Sequence, residues 1–274
     1  MRRYTQGIYM KEIDVKHTFV ICAYEKSIHL ENCILSLLAQ QSFKNGKSKI
    51  ILYTSTPNDY ITSLCDTYNI EYFIGEGGGI GADWNGALSF VDTKYATIAH
   101  QDDIYEPEYG ENIIESFETN AQLNIVFTDY YEIDGEGSYR SRNLNLKIKT
   151  AALKVMSAFN NKKYQRRVYS FGNFICCPAV SYNLSRLRGF KFNECMKMAL
   201  DWDAWERIMK MPGDIKFLSG HLMAHRIHEE SETTNNTVDK NREKEEYEMF
   251  RRYWGKTISR LLMKFYVKNQ QGNI

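Results

Sequence analysis

The chain has 274 residues, of which 43% are hydrophobic and 25% charged, so it is long enough for a substantial core and ordinary in composition for a globular protein. Its formal net charge of +1 argues against binding nucleic acid through overall charge, and we expect no nucleic-acid partner. The six cysteines form no CxxC pair, and the N-terminus lacks the apolar core of a signal peptide. Because no segment is apolar over the length of a bilayer, we predict a cytoplasmic protein with reduced thiols.

Strand and helix patterns alternate along the first half of the chain. Short apolar runs rich in β-formers predict strands over residues 17–23, 49–53, 70–74, 95–99 and 124–128. Helical spacing of apolar residues predicts helices over residues 28–41, 59–68, 82–90 and 109–120. Nearly continuous apolar strands in this alternation are typical of a parallel sheet built from βαβ units, so we expect an α/β fold.

The second half is less regular. We predict a loop with one helix over residues 151–160, a strand-like run over residues 171–180 and a helix from residue 201 onward. The Gly-rich segment of residues 75–81 contains no GK[ST] and matches neither common phosphate-binding glycine motif, so it is either a mobile substrate loop or a plain connection.

Four polar residues, His-Gln-Asp-Asp at positions 100–103, follow the strand predicted over residues 95–99. In open α/β sheets, ligands bind at this carboxyl edge. Asp102 and Asp103 would stay ionised in a buried site only beside a cation, and their oxygens suit Mg²⁺ or Mn²⁺, which often hold substrate phosphates. The pattern predicts a divalent-metal site for a phosphorylated ligand. The alternative is a solvated Asp-Asp turn that caps the helix after Pro107.

A second acidic group, Asp201 and Asp203, lies in the first turn of a predicted helix that also carries Trp202 and Trp205. Carboxylates in a first turn are favoured by the helix dipole and can cap the helix. The functional alternative is that Asp201 projects into the same cleft as Asp102 and acts as a general base.

A third group is rich in histidine and spans residues 221–231. As a strand it would place Arg226 and His228 on one face, where they could serve a phosphate and a metal ion. A structural role is the alternative for each histidine.

The order of these features resembles the family-2 glycosyltransferases of the GT-A fold, which move a sugar from a nucleotide diphosphate. The features are a Tyr after the first strand, the Asp-Asp pair, Asp-Trp-Asp-x-Trp at residues 201–205 and Arg-x-His-x-x-Ser at residues 226–231. The resemblance covers roughly residues 17–234 and is to the type that builds bacterial cell-surface polysaccharides. It implies a GT-A domain over residues 1–235, with a Rossmann-like, mostly parallel sheet flanked by helices, and a C-terminal helical extension over residues 236–274.

The resemblance also implies roles for single residues. The implied donor-binding residues are Ala23, Tyr24, Glu25, Thr54, Asn85, Gln101, Asp102 and Arg226. The implied ligands of Mn²⁺ or Mg²⁺ are Asp102, Asp103 and His228, and Asp201 matches the catalytic base.

Three positions depart from the family pattern. His100 replaces the first acid of the DxD motif, although imidazole can also bind Mn²⁺. Thr54 stands where the family usually has an Asp that contacts the base, so the nucleotide need not be UDP. Trp84 stands where an Arg is common, which leaves phosphate contacts to the metal and to Arg226 or His228.

We therefore predict an inverting, metal-dependent glycosyltransferase that moves a sugar to the hydroxyl of a glycan or lipid-linked glycan. The alternatives are a catalytically inactive sugar-nucleotide-binding protein and a nucleotidyltransferase.

The pattern of residues 241–268 predicts a helix with an apolar stripe and basic residues at four-residue spacing. Such a helix either packs on the domain or contacts the inner face of the membrane as a peripheral anchor.

Overall fold

A computed structural model of the chain describes residues 14–141, 144–228 and 240–271. These residues form one mixed sheet with helices packed on both of its faces. In chain order the strands are β1 (His17–Ala23), β2 (Ser48–Thr54), β3 (Glu71–Ile74), β4 (Tyr95–His100), β5 (Ile104–Tyr105), β6 (Leu123–Ile133), β7 (Val180–Asn183) and β8 (Asp214–Arg226).

The helices fill the connections between the strands and the C-terminal part of the chain. In chain order they are α1 (Leu30–Leu38), α2 (Gln41–Lys44), α3 (Asp59–Tyr68), α4 (Ile80–Ser89), α5 (Tyr109–Thr119), α6 (Leu144–Met156), α7 (Lys162–Tyr169), α8 (Leu200–Lys210), α9 (Lys240–Arg251) and α10 (Lys256–Gln271). No helix in the described part of the chain is both long enough and apolar enough to cross a membrane.

The strand order is β3-β2-β1-β4-β7-β6-β8-β5. The pairs β1–β2, β1–β4, β2–β3 and β6–β8 are parallel, whereas β7 runs antiparallel to β4 and β6, and β5 antiparallel to β8. The predicted α/β fold with a mostly parallel sheet is confirmed. The carboxyl ends of β1, β2 and β4 therefore meet at one edge, where loop residues can form a common cleft.

The two faces of the sheet bury two separate apolar clusters, because successive strand side chains point in opposite directions. On β1, Phe19 and Ile21 pack with α1, α3 and α5, whereas Val20 lies in the cluster of α4 and α8. Met249 and Phe250 of α9 are fully buried in that second cluster. The C-terminal helices thus share the core of the sheet. The predicted domain boundary between residues 235 and 236 falls outside the described residues and remains a prediction.

Several predicted boundaries are wrong. Residues 171–180 are not a strand, because a 3-10 turn at Cys177–Ala179 precedes the short strand β7. The helix predicted over residues 241–268 is two helices, because the chain turns at residues 252–255 with Trp254 N donating to Phe250 O. The strand predicted in the histidine-rich segment ends at Arg226, so His228 lies two residues beyond it.

Gly110 lets α5 lie close to β1 and to α2. A Cβ atom at this position would lie 2.0 Å from Ser42 Oγ and 3.2 Å from Phe19 Cζ, and both neighbours are fully buried. We expect Gly110→Ala to lower the free energy of unfolding by about 1–3 kcal/mol through overpacking, as measured by urea denaturation. Gly255→Ala is the control, because no atom lies within 4 Å of its added methyl group. Equal loss of stability in the two variants would contradict this account.

Candidate active site

Asp102 lies in the turn after β4 and faces the cleft, with a quarter of its side chain (26%) exposed. Its Oδ1 accepts a hydrogen bond from Ser27 Oγ at 2.9 Å, and its Oδ2 lies 3.4 Å from His228 Nε2. The His29 ring packs edge-on against the His228 ring, with centroids 4.9 Å apart. A partly exposed carboxylate and an imidazole are therefore held side by side.

Asp103 is buried directly behind Asp102. Its Oδ1 accepts hydrogen bonds from Arg226 N at 2.9 Å and from His225 Nδ1 at 3.0 Å. Burial acts to raise the pKa of Asp103, but His225, His100 and the Arg226 backbone N–H together lower it below its ordinary value. Burial acts to lower the pKa of His225, but the nearby carboxylates, mainly Asp103, raise it above its ordinary value. These contacts assign Asp103 to an internal ion pair and differ from those expected of a metal ligand.

Arg226 also makes contacts that differ from the expected phosphate contact. The residue is 2% exposed, and its guanidinium donates to Asp102 O at 2.8 Å, Asp134 O at 3.0 Å and Gly135 O at 3.2 Å. All of these acceptors are backbone carbonyls. Arg226 therefore ties the turn that carries Asp102 to the loop after β6.

The expected nucleoside residues lie at the carboxyl ends of β1 and β2. Tyr24 and Gln101 form a reciprocal pair, in which Tyr24 N donates to Gln101 Oε1 and Gln101 Nε2 donates to Tyr24 O, each at 3.0 Å. Ala23 is buried at the last position of β1, and Glu25, with a φ of 52°, turns the chain away from the sheet. Thr54 is fully buried, and its Oγ1 accepts from Thr56 N, so its hydroxyl stabilises the turn after β2.

Asn85 connects the helix after the Gly-rich segment to the loop before Asp201. Its Oδ1 accepts from Phe192 N at 2.7 Å, and its Nδ2 donates to Phe192 O at 3.0 Å and to Glu194 Oε1 at 2.8 Å. The preceding Trp84 ring lies against the His100 ring, with centroids 5.4 Å apart. Burial lowers the pKa of His100, which favours a neutral imidazole at the end of β4.

Asp201 occupies the second residue of α8. Its Oδ2 accepts a hydrogen bond from Asn173 Nδ2 at 2.7 Å, and its Oδ1 accepts from Trp202 N at 2.6 Å. Burial raises the pKa of Asp201 to about 6, although the Asn173 hydrogen bond acts in the opposite direction. A carboxylate with a pKa near neutrality is suited to accept a proton.

The two acidic groups approach the same short segment from different elements. Burial raises the pKa of the Cys176 and Cys177 thiols well above the ordinary value, and the charges of both Asp103 and Asp201 raise each further. Both carboxylates are therefore electrostatic neighbours of this segment. Two acids about a hundred positions apart in the chain therefore act on the same pair of cysteines.

Sequence reasoning missed several residues of this cleft. Ser27 donates a hydrogen bond to Asp102, and Asn173 donates one to Asp201. The charge of Lys149 of α6 lowers the pKa of Asp201, although less than burial raises it. None of these residues lies in a recognisable motif. Only Ser27, in a polar stretch directly after the first strand, had a local signal.

The described residues fit a cation only in part. They contain no group of three or more His, Cys, Asp or Glu side chains arranged to hold a metal ion. Asp102 and His228 nevertheless place a carboxylate oxygen and an imidazole nitrogen together, which is a donor pair that suits Mn²⁺. Such an ion would need its remaining ligands from a bound phosphate or water.

Comparisons with known proteins identify the family of this chain. The family model described as glycosyl transferase family 2 matches residues 18–187. An uncharacterized glycosyltransferase of Rickettsia conorii is 24% identical over 229 residues, which is 80% of this chain and 36% of that protein. Another from Methanocaldococcus jannaschii is 24% identical over 54% of this chain and 47% of its own length. The chain thus spans about a third to a half of these two relatives.

Solved glycosyltransferases share the fold. S. aureus TarS 1-349 in complex with UDP-GlcNAc has a TM-score of 0.62 at 14% identity, covering 94% of this chain and 73% of that one. The mannosyltransferase PcManGT from Pyrobaculum calidifontis, in complex with GDP-Man and Mn²⁺, has a TM-score of 0.63 at 12% identity, covering 87% and 64%. The predicted GT-A fold is thereby confirmed, and because the family model matches more than half of the sequence, this chain belongs to glycosyltransferase family 2.

Proposed function

We propose that the protein is an inverting glycosyltransferase, which moves a sugar from a nucleotide-diphosphate donor to an acceptor hydroxyl. The observation that supports this proposal is the difference between the environments of two carboxylates, Asp102 and Asp201. Asp102 is partly exposed beside His228, and Asp201 is desolvated, with a pKa raised by burial to about 6. Two acids in such different environments suit two different roles.

Asp201 is the proposed general base. It would accept the proton of the acceptor hydroxyl while the oxygen attacks the anomeric carbon from the face opposite the diphosphate, through an oxocarbenium-like state. A single attack on the opposite face inverts the anomeric configuration. Asn173 would hold Oδ2 and the Trp202 backbone N–H would hold Oδ1, so that the carboxylate keeps one orientation.

The donor would lie along the carboxyl ends of β1, β2 and β4. Ala23, Tyr24 and Glu25 are proposed to border the nucleoside, with Thr54 beside it and Gln101 at the ribose. Asp102 and His228 would hold Mn²⁺ or Mg²⁺, which neutralises charge on a departing diphosphate. Asn85 and Arg226 would act on the donor indirectly, because their polar groups already bind protein.

The two alternative functions are a catalytically inactive sugar-nucleotide binder and a nucleotidyltransferase. Both leave the raised pKa of Asp201 without a use. Product analysis with nucleotide sugars separates the three, because a glycosyltransferase releases the nucleoside diphosphate, a nucleotidyltransferase that transfers the nucleoside monophosphate group releases the sugar 1-phosphate, and an inactive binder releases neither.

The acceptor is proposed to be a glycan or lipid-linked glycan of bacterial polysaccharide synthesis, reached at the cytoplasmic face of the membrane. The supporting surface is on α10, within residues 241–268. Ile258, Leu261 and Phe265 expose 45%, 55% and 62% of their surface on one side of this helix. Arg260 and Lys264 are exposed next to this apolar stripe, so the surface complements an anionic bilayer.

Donor binding should depend on Asp102. Isothermal titration of UDP, GDP, dTDP, CDP and ADP, with and without Mn²⁺, should find one nucleotide whose affinity rises with the metal. Asp102→Asn should abolish that rise, because the cation loses its carboxylate ligand. Asp92→Asn, which changes an exposed carboxylate 2.6 Å from Lys49 Nζ, should leave it intact. No binding of any nucleotide under either condition would refute the proposed donor site.

Transfer should depend on the ionised form of Asp201. Because its pKa is raised to about 6, the rate should be constant above that pH and fall about tenfold per unit below it. Asp201→Asn should lower kcat by about 10²–10⁴-fold without a matching loss of nucleotide affinity. The measurement is the pH profile of nucleoside diphosphate release. Full activity of Asp201→Asn would exclude it as the base.

Membrane contact should depend on the apolar stripe of α10. Phe265→Glu should weaken binding to vesicles rich in phosphatidylglycerol by about tenfold or more, because burial of a Phe side chain in the bilayer is lost. Phe159→Glu is a matched control, since Phe159 is also 62% exposed but lies outside α10. Equal vesicle binding of the two variants and the unchanged protein would dismiss this surface.

A further inference from the structure

We propose that Tyr266 and Glu245 of the C-terminal helices are positioning residues for Asp201, so that α9 and α10 complete the active site from outside the region that carries the family motifs. This inference rests on the proposed role of Asp201 as the base. Its geometric part stands on contacts that reach Asp201 and the start of α8 by two separate routes.

The first route runs from α10 through Asn173. The Tyr266 hydroxyl accepts a hydrogen bond from Asn173 N at 3.3 Å, and Asn173 Nδ2 donates to Asp201 Oδ2 at 2.7 Å. The other end of the Asn173 amide accepts from the Tyr169 hydroxyl at 2.5 Å. Asn173 is therefore held at its backbone and at its side chain, and it presents one N–H to the carboxylate.

The position of the Tyr266 hydroxyl is set by packing. The Tyr266 ring lies 5.5 Å from the Phe250 ring and 5.9 Å from the Trp202 ring, measured between centroids. A Cβ atom added at Gly172 would lie 2.9 Å from Tyr266 Cε2, so the chain before Asn173 passes close against this ring. The glycine allows the close approach that brings Asn173 N within reach of the hydroxyl.

The second route runs from α9 to the start of α8. Ala199, at the N-cap position of α8, makes no side-chain capping hydrogen bond. The Glu245 carboxylate of α9 instead accepts hydrogen bonds from the backbone N–H groups of Lys197, Met198 and Ala199 at 2.8–3.2 Å. A carboxylate at this position satisfies otherwise unpaired donors and stabilises the turn that directly precedes Asp201.

These contacts bear on the chemistry because a base must be oriented as well as ionised. The Asn173 hydrogen bond to Oδ2 favours the ionised form of Asp201, and together with the Trp202 N hydrogen bond to Oδ1 it fixes the orientation of the carboxylate. If Tyr266 releases Asn173, we expect the carboxylate to sample other orientations and to lose part of that stabilisation. A displacement of about 1 Å at a reacting group can cost on the order of a hundredfold in rate.

The test uses the full-length chain labelled with ¹³C at the Asp carboxyl carbons, with Asp201→Asn to assign the Asp201 signal. Asn173→Ala should raise the pKa of Asp201 by about one unit, because a hydrogen bond to the charged form is lost. Tyr266→Phe should shift it in the same direction and lower kcat for donor hydrolysis by about threefold to tenfold, with the KM for the donor unchanged. Glu245→Ala should lower kcat, and Glu245→Gln, which retains an acceptor oxygen, should restore part of it.

Tyr164→Phe is the matched control, because it removes a hydroxyl that donates to Val155 O, outside both routes. It should change neither the titration of Asp201 nor kcat. An unchanged Asp201 titration and an unchanged kcat in Tyr266→Phe would overturn the proposal, even if that variant were less stable to heat. Because the NMR titration needs no substrate, it remains decisive if the proposed transfer reaction fails.

Discussion

The ion pair of buried Asp103 with His225 is the interaction on which the candidate site depends. The same carboxylate oxygen accepts from Arg226 N, so it binds the end of β8 to the turn after β4. The Asp103 side chain is only 2% exposed, so loss of these partners would leave a buried charge unpaired and destabilise this part of the structure. The Arg226 guanidinium then donates to Asp102 O, which fixes the turn that presents Asp102 to His228.

Asp103 and Asp201 differ in their partners, and this difference separates their functions. Burial acts to raise the pKa of each. At Asp103, His225 supplies an opposing charge and a hydrogen bond, so the pKa falls below its ordinary value and the carboxylate stays ionised as a structural anchor. At Asp201 the side-chain hydrogen-bond donor is the neutral amide of Asn173, so burial prevails and the pKa rises to about 6. One residue type thus serves as an anchor in one place and is suited to proton transfer in another.

Sequence reasoning was most accurate where the signal was local. Apolar periodicity located β1, β2 and β4, and polar residues directly after a buried strand located Asp102. It was less accurate where a side chain binds a distant segment. The partners of Asn85 are 107 and 109 positions away, and those of Arg226 lie 91, 92 and 124 positions away. No local sequence pattern indicates such long-range pairs. The sequence therefore suggested donor contacts for these residues and did not reveal their contacts with protein.

The amino-acid sequence alone determined the α/β class, the family and the two acids of the candidate site, because each follows from short-range periodicity or from a few residues in fixed order. The tertiary structure decided which acid is buried with a charged partner, which is buried without one, and which basic side chains face the cleft. It also decided that α9 and α10 reach Asp201, through Glu245 at the start of α8 and Tyr266 at Asn173. Desolvation and pairing of charges depend on atoms brought together by folding, and so they cannot be read from the order of residues along the chain.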